Sequence, residues 1–223
     1  MFIQKSTYQF YRSYFLKQFS AMGTRLTHHR KDIIELSGNP VDYIYLISTG
    51  YVAQYFVDAL GHSMILLLLA PGNIFNEVTF LNMNSNCVAS VAHTEAELIK
   101  IHVKDFQGVI ENNMEVYKYL SYQIAYKLRL TMAQMYDLSF HGVEQRLRNL
   151  LLRLCIQIGE SKGNDIRFPC YLTHEELAQM ISSTRSTVSR LMKTFQEKGY
   201  ICLSERNIVI KSKFLEKNAI ATF

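Results

Sequence analysis

The chain has 223 residues, 48% of them apolar, and a formal net charge of +5. That length is enough for two modest domains with ordinary cores, and the apolar run MILLLLA at residues 64–70 falls far short of the roughly 20 residues that cross a bilayer. Cys87, Cys155, Cys170 and Cys202 are scattered with no CxxC pair, and the N-terminus lacks a charged region followed by an apolar core and a cleavage site. Reduced thiols, no disulfide frame, no zinc knuckle, no export and no membrane are therefore expected.

Residues 1–20 are aromatic and irregular (Phe2, Tyr8, Phe10, Tyr11, Tyr14, Phe15) and too apolar for a disordered tail, so a helix lying against the first domain is expected. From about Thr27 the texture changes. Gly38, Gly50, Gly61 and Gly72 recur every 11 or 12 residues, and between them lie β-rich runs at 43–47, 51–57 and 63–69. Evenly spaced strands and turns predict a closed all-β roll, with the glycines serving turn geometry. After GNIFNEVTFL and a loop at 82–86, residues 87–103 predict two more strands.

Helix is expected to resume near Lys104, and residues 113–138 contain neither Pro nor Gly. Tyr117, Ile124, Leu128, Met135 and Leu138 fit a seam of 3- and 4-residue steps, while Tyr119, Tyr122, Tyr126, Leu130 and Ala133 mark the other side. A helix apolar on two sides packs against two bodies, here the roll and a second copy of itself in a parallel dimer seam. Gly142, the only glycine between Gly108 and Gly159, sits where this helix hands over to the C-terminal part and predicts a hinge; residues 143–158 predict a further amphipathic helix.

Residues 171–199, YLTHEELAQMISSTRSTVSRLMKTFQEKG, predict two short helices and a tight turn. Thr173 and Glu176 form a capping box. Leu177 and Ile181 share an apolar face, and Ala178 is small where a second helix can cross. Val188, Leu191, Met192 and Phe195 recur at helical spacing, leaving Arg185, Ser186, Ser189, Arg190 and Lys193 outward. Gly199 ends the helix as a left-handed cap. This is the pattern of a helix-turn-helix, about 173–196, with Ser182 where glycine is common. Residues 200–203 and 208–210 alternate around a turn as a wing would, with Lys211 and Lys213 placed to touch phosphates.

Charge placement agrees. Residues 1–140 hold 11 Lys+Arg and 11 Asp+Glu; residues 141–223 hold 13 and 8. The whole excess lies where the helix-turn-helix is, as expected when one domain meets a polyanion. Arginine reaches guanine edges with two hydrogen bonds, and hydroxyls and lysines hold phosphates. Thr184, Arg185, Ser186, Thr187, Ser189, Arg190 and Lys193 are the candidate DNA-binding residues. No Ser/His/Asp or Cys/His set, phosphate loop or metal cluster is visible, so no enzyme activity is expected.

The order β-roll, long helix, hinge, winged helix-turn-helix resembles the Crp/Fnr family of ligand-gated transcription regulators over nearly the whole chain. Likeness is strongest in QRLRNLLLRLC from Gln145 and in LTHEELAQMISSTRSTVSRL, and nearest to the global nitrogen regulators of cyanobacteria and red-algal plastids. The resemblance implies an α+β fold with a cyclic-nucleotide-binding-like roll (1–110), a dimerisation helix (111–140) and a winged helix-turn-helix (141–223). It implies a homodimer on double-stranded DNA at a near-palindromic GTA…TAC site, RNA polymerase as a partner, and control of nitrogen-assimilation genes. It also implies base reading at Arg185, Ser186 and Arg190, although relatives carry glutamate or valine where Ser186 stands.

The effector pocket implied by the resemblance is Phe75, Asn76, Glu77, Val78, Asn86, Cys87, Lys127, Thr131 and Met132. Cyclic-nucleotide members read Phe-Gly-Glu at the first three positions and Arg-Ser at Asn86-Cys87. Without that guanidinium a cyclic phosphate would be buried with no charge partner, so cyclic nucleotide binding is not expected. The nitrogen branch senses 2-oxoglutarate through arginines matching Asn86 and Lys127 and a glutamate matching Met132. Lys127 is then the one remaining anchor, a point charge without the guanidinium fork, and weak, altered or absent effector binding is expected. Iron–sulfur sensing needs a cysteine cluster that the first 86 residues lack. Reduced thiols fit plastid stroma or bacterial cytoplasm; richness in Tyr, Phe, Ile and Asn suits an AT-rich genome, and together with the likeness to red-algal forms this favours the plastid. The alternative reading is an effector sensor that acts through protein contacts with a vestigial DNA-binding domain.

Overall fold

The computed structural model describes residues 14–82 and 85–218, which divide into two compact units after Leu128. Phe2, Tyr8, Phe10 and Tyr11, of the aromatic N-terminal stretch, lie outside the described residues. Residues 14–20 are helical (α1), and Phe15 and Phe19 are fully buried in the core of the first unit with Ile44, Leu46, Ile99, Ile101 and Phe106.

The roll is built from β1 (Thr24–His28), β2 (Ile33–Glu35), β3 (Tyr43–Thr49), β4 (Val52–Val57), β5 (Ser63–Leu69), β6 (Ile74–Phe75), β7 (Ala89–Ala92) and β8 (Ala96–His102). They pair antiparallel in two four-stranded sheets, β1-β8-β3-β6 and β2-β7-β4-β5. The three β-rich runs expected between the glycines are β3, β4 and β5. Gly38, Gly50, Gly61 and Gly72 all have φ between +77 and +92°, the left-handed region that glycine enters without strain. Gly50 has a second reason: a Cβ there would stand 2.1 Å from the Glu95 carbonyl oxygen.

Three details depart from expectation. The roll begins at Thr24, before Thr27; β2 is an additional strand; and GNIFNEVTFL divides into β6 and a short helix, α2 (Glu77–Asn82). The last has a local cause, since Asn76 at φ +74° breaks the strand and Glu77 opens the helix.

Helix α3 (Val103–Asn112) is separated by Asn113 from α4 (Met114–Phe140), whose 27 residues cross the division between the units. The Asn113 side-chain oxygen accepts from the Glu115 and Val116 amides (3.1 and 3.2 Å) and so starts α4. Val116, Tyr119 and Leu120 enter the first core. Another side of α4 remains apolar and exposed at Met114, Tyr117, Leu128, Met132 and Met135, with Ser121 and Ala125 exposed between them. Ile124 and Leu138, expected on that seam, are half-buried.

In the second unit the end of α4 meets α5 (Val143–Gln157). Buried Asp137 accepts hydrogen bonds from Arg153, from Asn149 (2.6 Å) and, with protonated Nδ1, from His141 (3.0 Å). Gly142 between the helices has φ −68°, which any residue adopts, and open space where a Cβ would stand. A hairpin of β9 (Glu160–Lys162) and β10 (Asp165–Arg167) follows, then α6 (His174–Met180), α7 (Arg185–Glu197), β11 (Ile201–Ser204), β12 (Asn207–Ile210) and α8 (Ser212–Asn218). The sheet order is β11-β12-β10-β9, so the expected wing pairs with a hairpin that was not expected. Among the described residues no helix is long and apolar enough to cross a membrane, and no group of three or more His, Cys, Asp or Glu could hold a metal ion.

Candidate functional site

The helix-turn-helix is assembled by local rules. Thr173 Oγ1 accepts from the Glu176 amide (3.1 Å) while the Glu176 carboxylate accepts from the Thr173 amide (2.7 Å), a complete capping box for α6. The turn is closed by the Ser183 amide donating to the Ala178 carbonyl at 3.0 Å, with Ser182 at φ +51°. A serine thus holds the left-handed turn position, at a conformational cost glycine would avoid. Thr184 caps α7 through its hydroxyl, which accepts from the Thr187 amide at 3.3 Å. Leu177, Ala178 and Met180 of α6 and Val188, Leu191, Met192 and Phe195 of α7 are buried. Gly199, at φ +67°, ends α7: its amide donates to the Gln196 carbonyl (2.9 Å) and the Tyr200 amide to the Phe195 carbonyl (2.9 Å).

This packing leaves Thr184, Arg185, Ser186, Ser189, Arg190 and Lys193 exposed and Thr187 half-buried. The first turn of α7 carries no acidic side chain, so its amides and two arginines present positive potential together. The hydroxyls are partly engaged with one another, Thr184 with Ser186 at 3.1 Å and with Thr187 at 2.9 Å. Ser186 is therefore drawn toward the cap, while Arg185 and Arg190 project as the exposed guanidinium groups of the helix.

A cleft of about 530 Å³ lies between the starts of α6 and α7 and the wing, lined by Tyr171, His174, Arg185, Met192, Leu203 and Arg206. Burial, and then the charge of Arg185, hold the His174 pKa below its usual 6.5. The wing turns at Glu205-Arg206, both at positive φ (53 and 71°), which is the geometry of a two-residue type I′ hairpin and leaves Arg206 at the tip. Lys211 and Lys213 are engaged within the unit. Lys211 Nζ pairs with Asp165 at 2.8 Å, holding that carboxyl below the usual carboxylate range, and Lys213 Nζ donates to the Lys198 carbonyl at 3.2 Å.

The residues of the expected effector pocket differ in burial. Phe75, Asn76, Glu77, Asn86 and Lys127 are buried in the first unit, whereas Val78, Cys87 and Met132 are exposed and Thr131 is half-buried. Lys127 Nζ is 2.7 Å from Glu77 Oε1 and donates to the Ile74 carbonyl at 2.5 Å, with the two side chains only 9% and 2% exposed. Asn86 Nδ2 donates to Asn76 Oδ1 (3.5 Å), and Asn86 Oδ1 accepts from the Thr79 hydroxyl (3.5 Å) and the Val88 backbone amide (3.4 Å). At these positions the donor set is a neutral Asn86 and a Lys127 ammonium that already faces a carboxylate. The sequence reading missed the Glu77 partnership, whose two residues lie 50 positions apart.

Comparison with known proteins places both units. Residues 25–113 match the cyclic nucleotide-binding domain and residues 145–213 the Crp-like helix-turn-helix domain. The chain is 27% identical over 173 residues to a CRP-like cAMP-activated global transcriptional regulator of Mycobacterium tuberculosis, covering 78% of this chain and 77% of that protein. It is 25% identical over 186 residues to the global nitrogen regulator of a Nostoc species, covering 82% and 83%. Among solved structures, a CooA mutant from Carboxydothermus hydrogenoformans is similar in fold, with a TM-score of 0.75 at 17% identity over 92% of this chain and 90% of that one.

Proposed function

The chain belongs to the Crp/Fnr family of DNA-binding transcription regulators, and from that premise we propose that it reads a near-palindromic GTA…TAC site as a homodimer and controls nitrogen-assimilation genes. The observation that carries the reading is α7. A doubly capped helix buries its apolar face and turns Arg185, Arg190 and Lys193 outward with no acid in its first turn. Arg185 and Arg190 read base edges, while Thr184, Thr187, Ser189 and Lys193 hold phosphates.

The exposed stripe of α4 supports the dimer. Met114, Tyr117, Leu128, Met132 and Met135 recur at steps that a parallel coiled coil requires, and small Ser121 and Ala125 between them allow close approach. Two recognition helices related by a two-fold would enter major grooves one turn apart, roughly 34 Å. The 25% identity to the Nostoc global nitrogen regulator supports the choice of target genes. Residues 1–110 serve as the roll domain, 111–140 as dimerisation helix and 141–223 as DNA-binding domain.

The test is a titration of a GTA…TAC duplex and a scrambled duplex at one fixed salt concentration. Selective binding with one dimer per duplex is expected. Equal affinity for both duplexes would remove the base-reading role of α7.

A further inference from the structure

Three side chains on one face of α4, at i, i+4 and i+8, reach into one short stretch of the roll. Tyr119 Oη donates to the Gly72 carbonyl at 2.8 Å, Gln123 Oε1 accepts from Asn73 Nδ2 at 2.9 Å, and Lys127 Nζ meets the Ile74 carbonyl and Glu77. All three are buried, Tyr119 and Gln123 completely. Residues 72–77 are therefore fixed rung by rung to the first half of α4. The last rung is an ion pair out of water, where removing one partner strands the other charge.

The consequence concerns control. Helix α4 is the covalent link between the roll and the helix-turn-helix unit, so whatever fixes it to the roll acts on both. An anionic ligand would need the Lys127 ammonium, the buried cation that the site offers among the described residues named for it. To take it, the ligand must pull it from Glu77 and leave that carboxylate buried and unpaired. We propose that the Lys127–Glu77 pair is a built-in substitute for an effector, which holds α4 to the roll without a ligand and makes selective DNA binding effector-independent. This rests on the DNA-binding reading above. The pair works through α4, and these are positioning residues, since neither touches DNA.

The experiment uses the full-length dimer. Wild type and the double variant Lys127→Met/Glu77→Leu, which removes both charges and keeps the volume apolar, are titrated with the GTA…TAC and scrambled duplexes. Each is measured alone and with 2-oxoglutarate or cyclic AMP, alongside a melting curve and the oligomeric state. Wild type should bind selectively without ligand, with affinity changed less than twofold by either compound. The double variant should melt as a folded dimer and lose at least tenfold in selective affinity. A folded double variant with wild-type selectivity would overturn the proposal. So would a tenfold or greater tightening of wild type by either compound, an arm that holds even if the variant fails to fold. Wild type that cannot tell the duplexes apart defeats the DNA-binding reading itself and the proposal with it, and that outcome is distinct from both others.

Discussion

The cations of α7 and the cation of α4 differ in what they face. Arg185, Arg190 and Lys193 stand on an exposed helix face with no acid in its first turn. Lys127 is buried, 2.7 Å from a carboxylate. Exposed cations contribute little to folding and are available to a polyanion; a buried paired cation is bound into the fold and unavailable without a large penalty. The same residue chemistry is thus left available at one site and committed to architecture at the other. Charge counted along the chain cannot separate them, because the distinction depends on what stands opposite.

Lys127→Ala is the strongest way to test that contrast. It leaves Glu77 buried without its partner and should lower stability by about 3–5 kcal/mol, read as a fall in the denaturant midpoint. Arg185→Ala should leave that midpoint unchanged and instead weaken binding to the GTA…TAC duplex by about 1–3 kcal/mol, with little change on the scrambled one. Lys193→Ala should weaken both duplexes alike and reduce the slope of log affinity against log salt by about 1. If Arg185→Ala destabilised the fold and Lys127→Ala did not, the assignment of the two cations would be reversed.

Turn chemistry gives a smaller effect on the DNA-binding side. Thr173→Ala removes one half of the capping box and should cost about 1 kcal/mol. Ser182→Gly relieves a serine held at φ +51° and should stabilise by about 0.5–1 kcal/mol. Both are read from denaturant midpoints. A Ser182→Gly variant less stable than wild type would mean that the serine side chain contributes more than the strain costs.

How much was legible follows the same divide. The helix-turn-helix is specified by neighbours in sequence: Thr173 with Glu176, the spacing of Val188, Leu191 and Phe195, and Gly199 as terminator all lie within 27 residues, and the structure has each as read. The β3, β4 and β5 strands were legible because turn glycines bracket them. The β9–β10 hairpin was not, because ESKGNDIR carries no alternating apolar pattern and all three residues of β9 are exposed; Gly163 at φ +63° was the available signal. Helix α8 has a single fully buried anchor, Phe214, among the residues whose side chains are described. Least legible were the partners of Lys127 and Lys211. Glu77 and Asp165 lie 50 and 46 residues away, and only the tertiary fold brings them within hydrogen-bonding distance.

The smallest expected effect is a pH dependence in the DNA-binding unit. His174 begins α6, and burial together with the Arg185 charge lowers its folded-state pKa below 6.5. In the unfolded chain the imidazole takes up a proton near its ordinary pKa of about 6.5. As pH falls through that value the unfolded state binds more protons than the folded one, and stability declines until the folded-state pKa is also passed. The stabilisation is therefore complete above about pH 7 and is lost on the acid side. His174→Gln, which cannot titrate, should flatten the stability curve between about pH 7 and 5 while leaving the value at pH 8 nearly unchanged. The carboxylate of Asp165, held low by Lys211, loses its share only near and below the ordinary carboxylate pKa of about 3.9, so the two windows do not overlap. A wild-type curve already flat from pH 7 to 5 would show that His174 is as freely hydrated in the folded protein as in the unfolded chain, and that the cleft beside Arg185 is open to water.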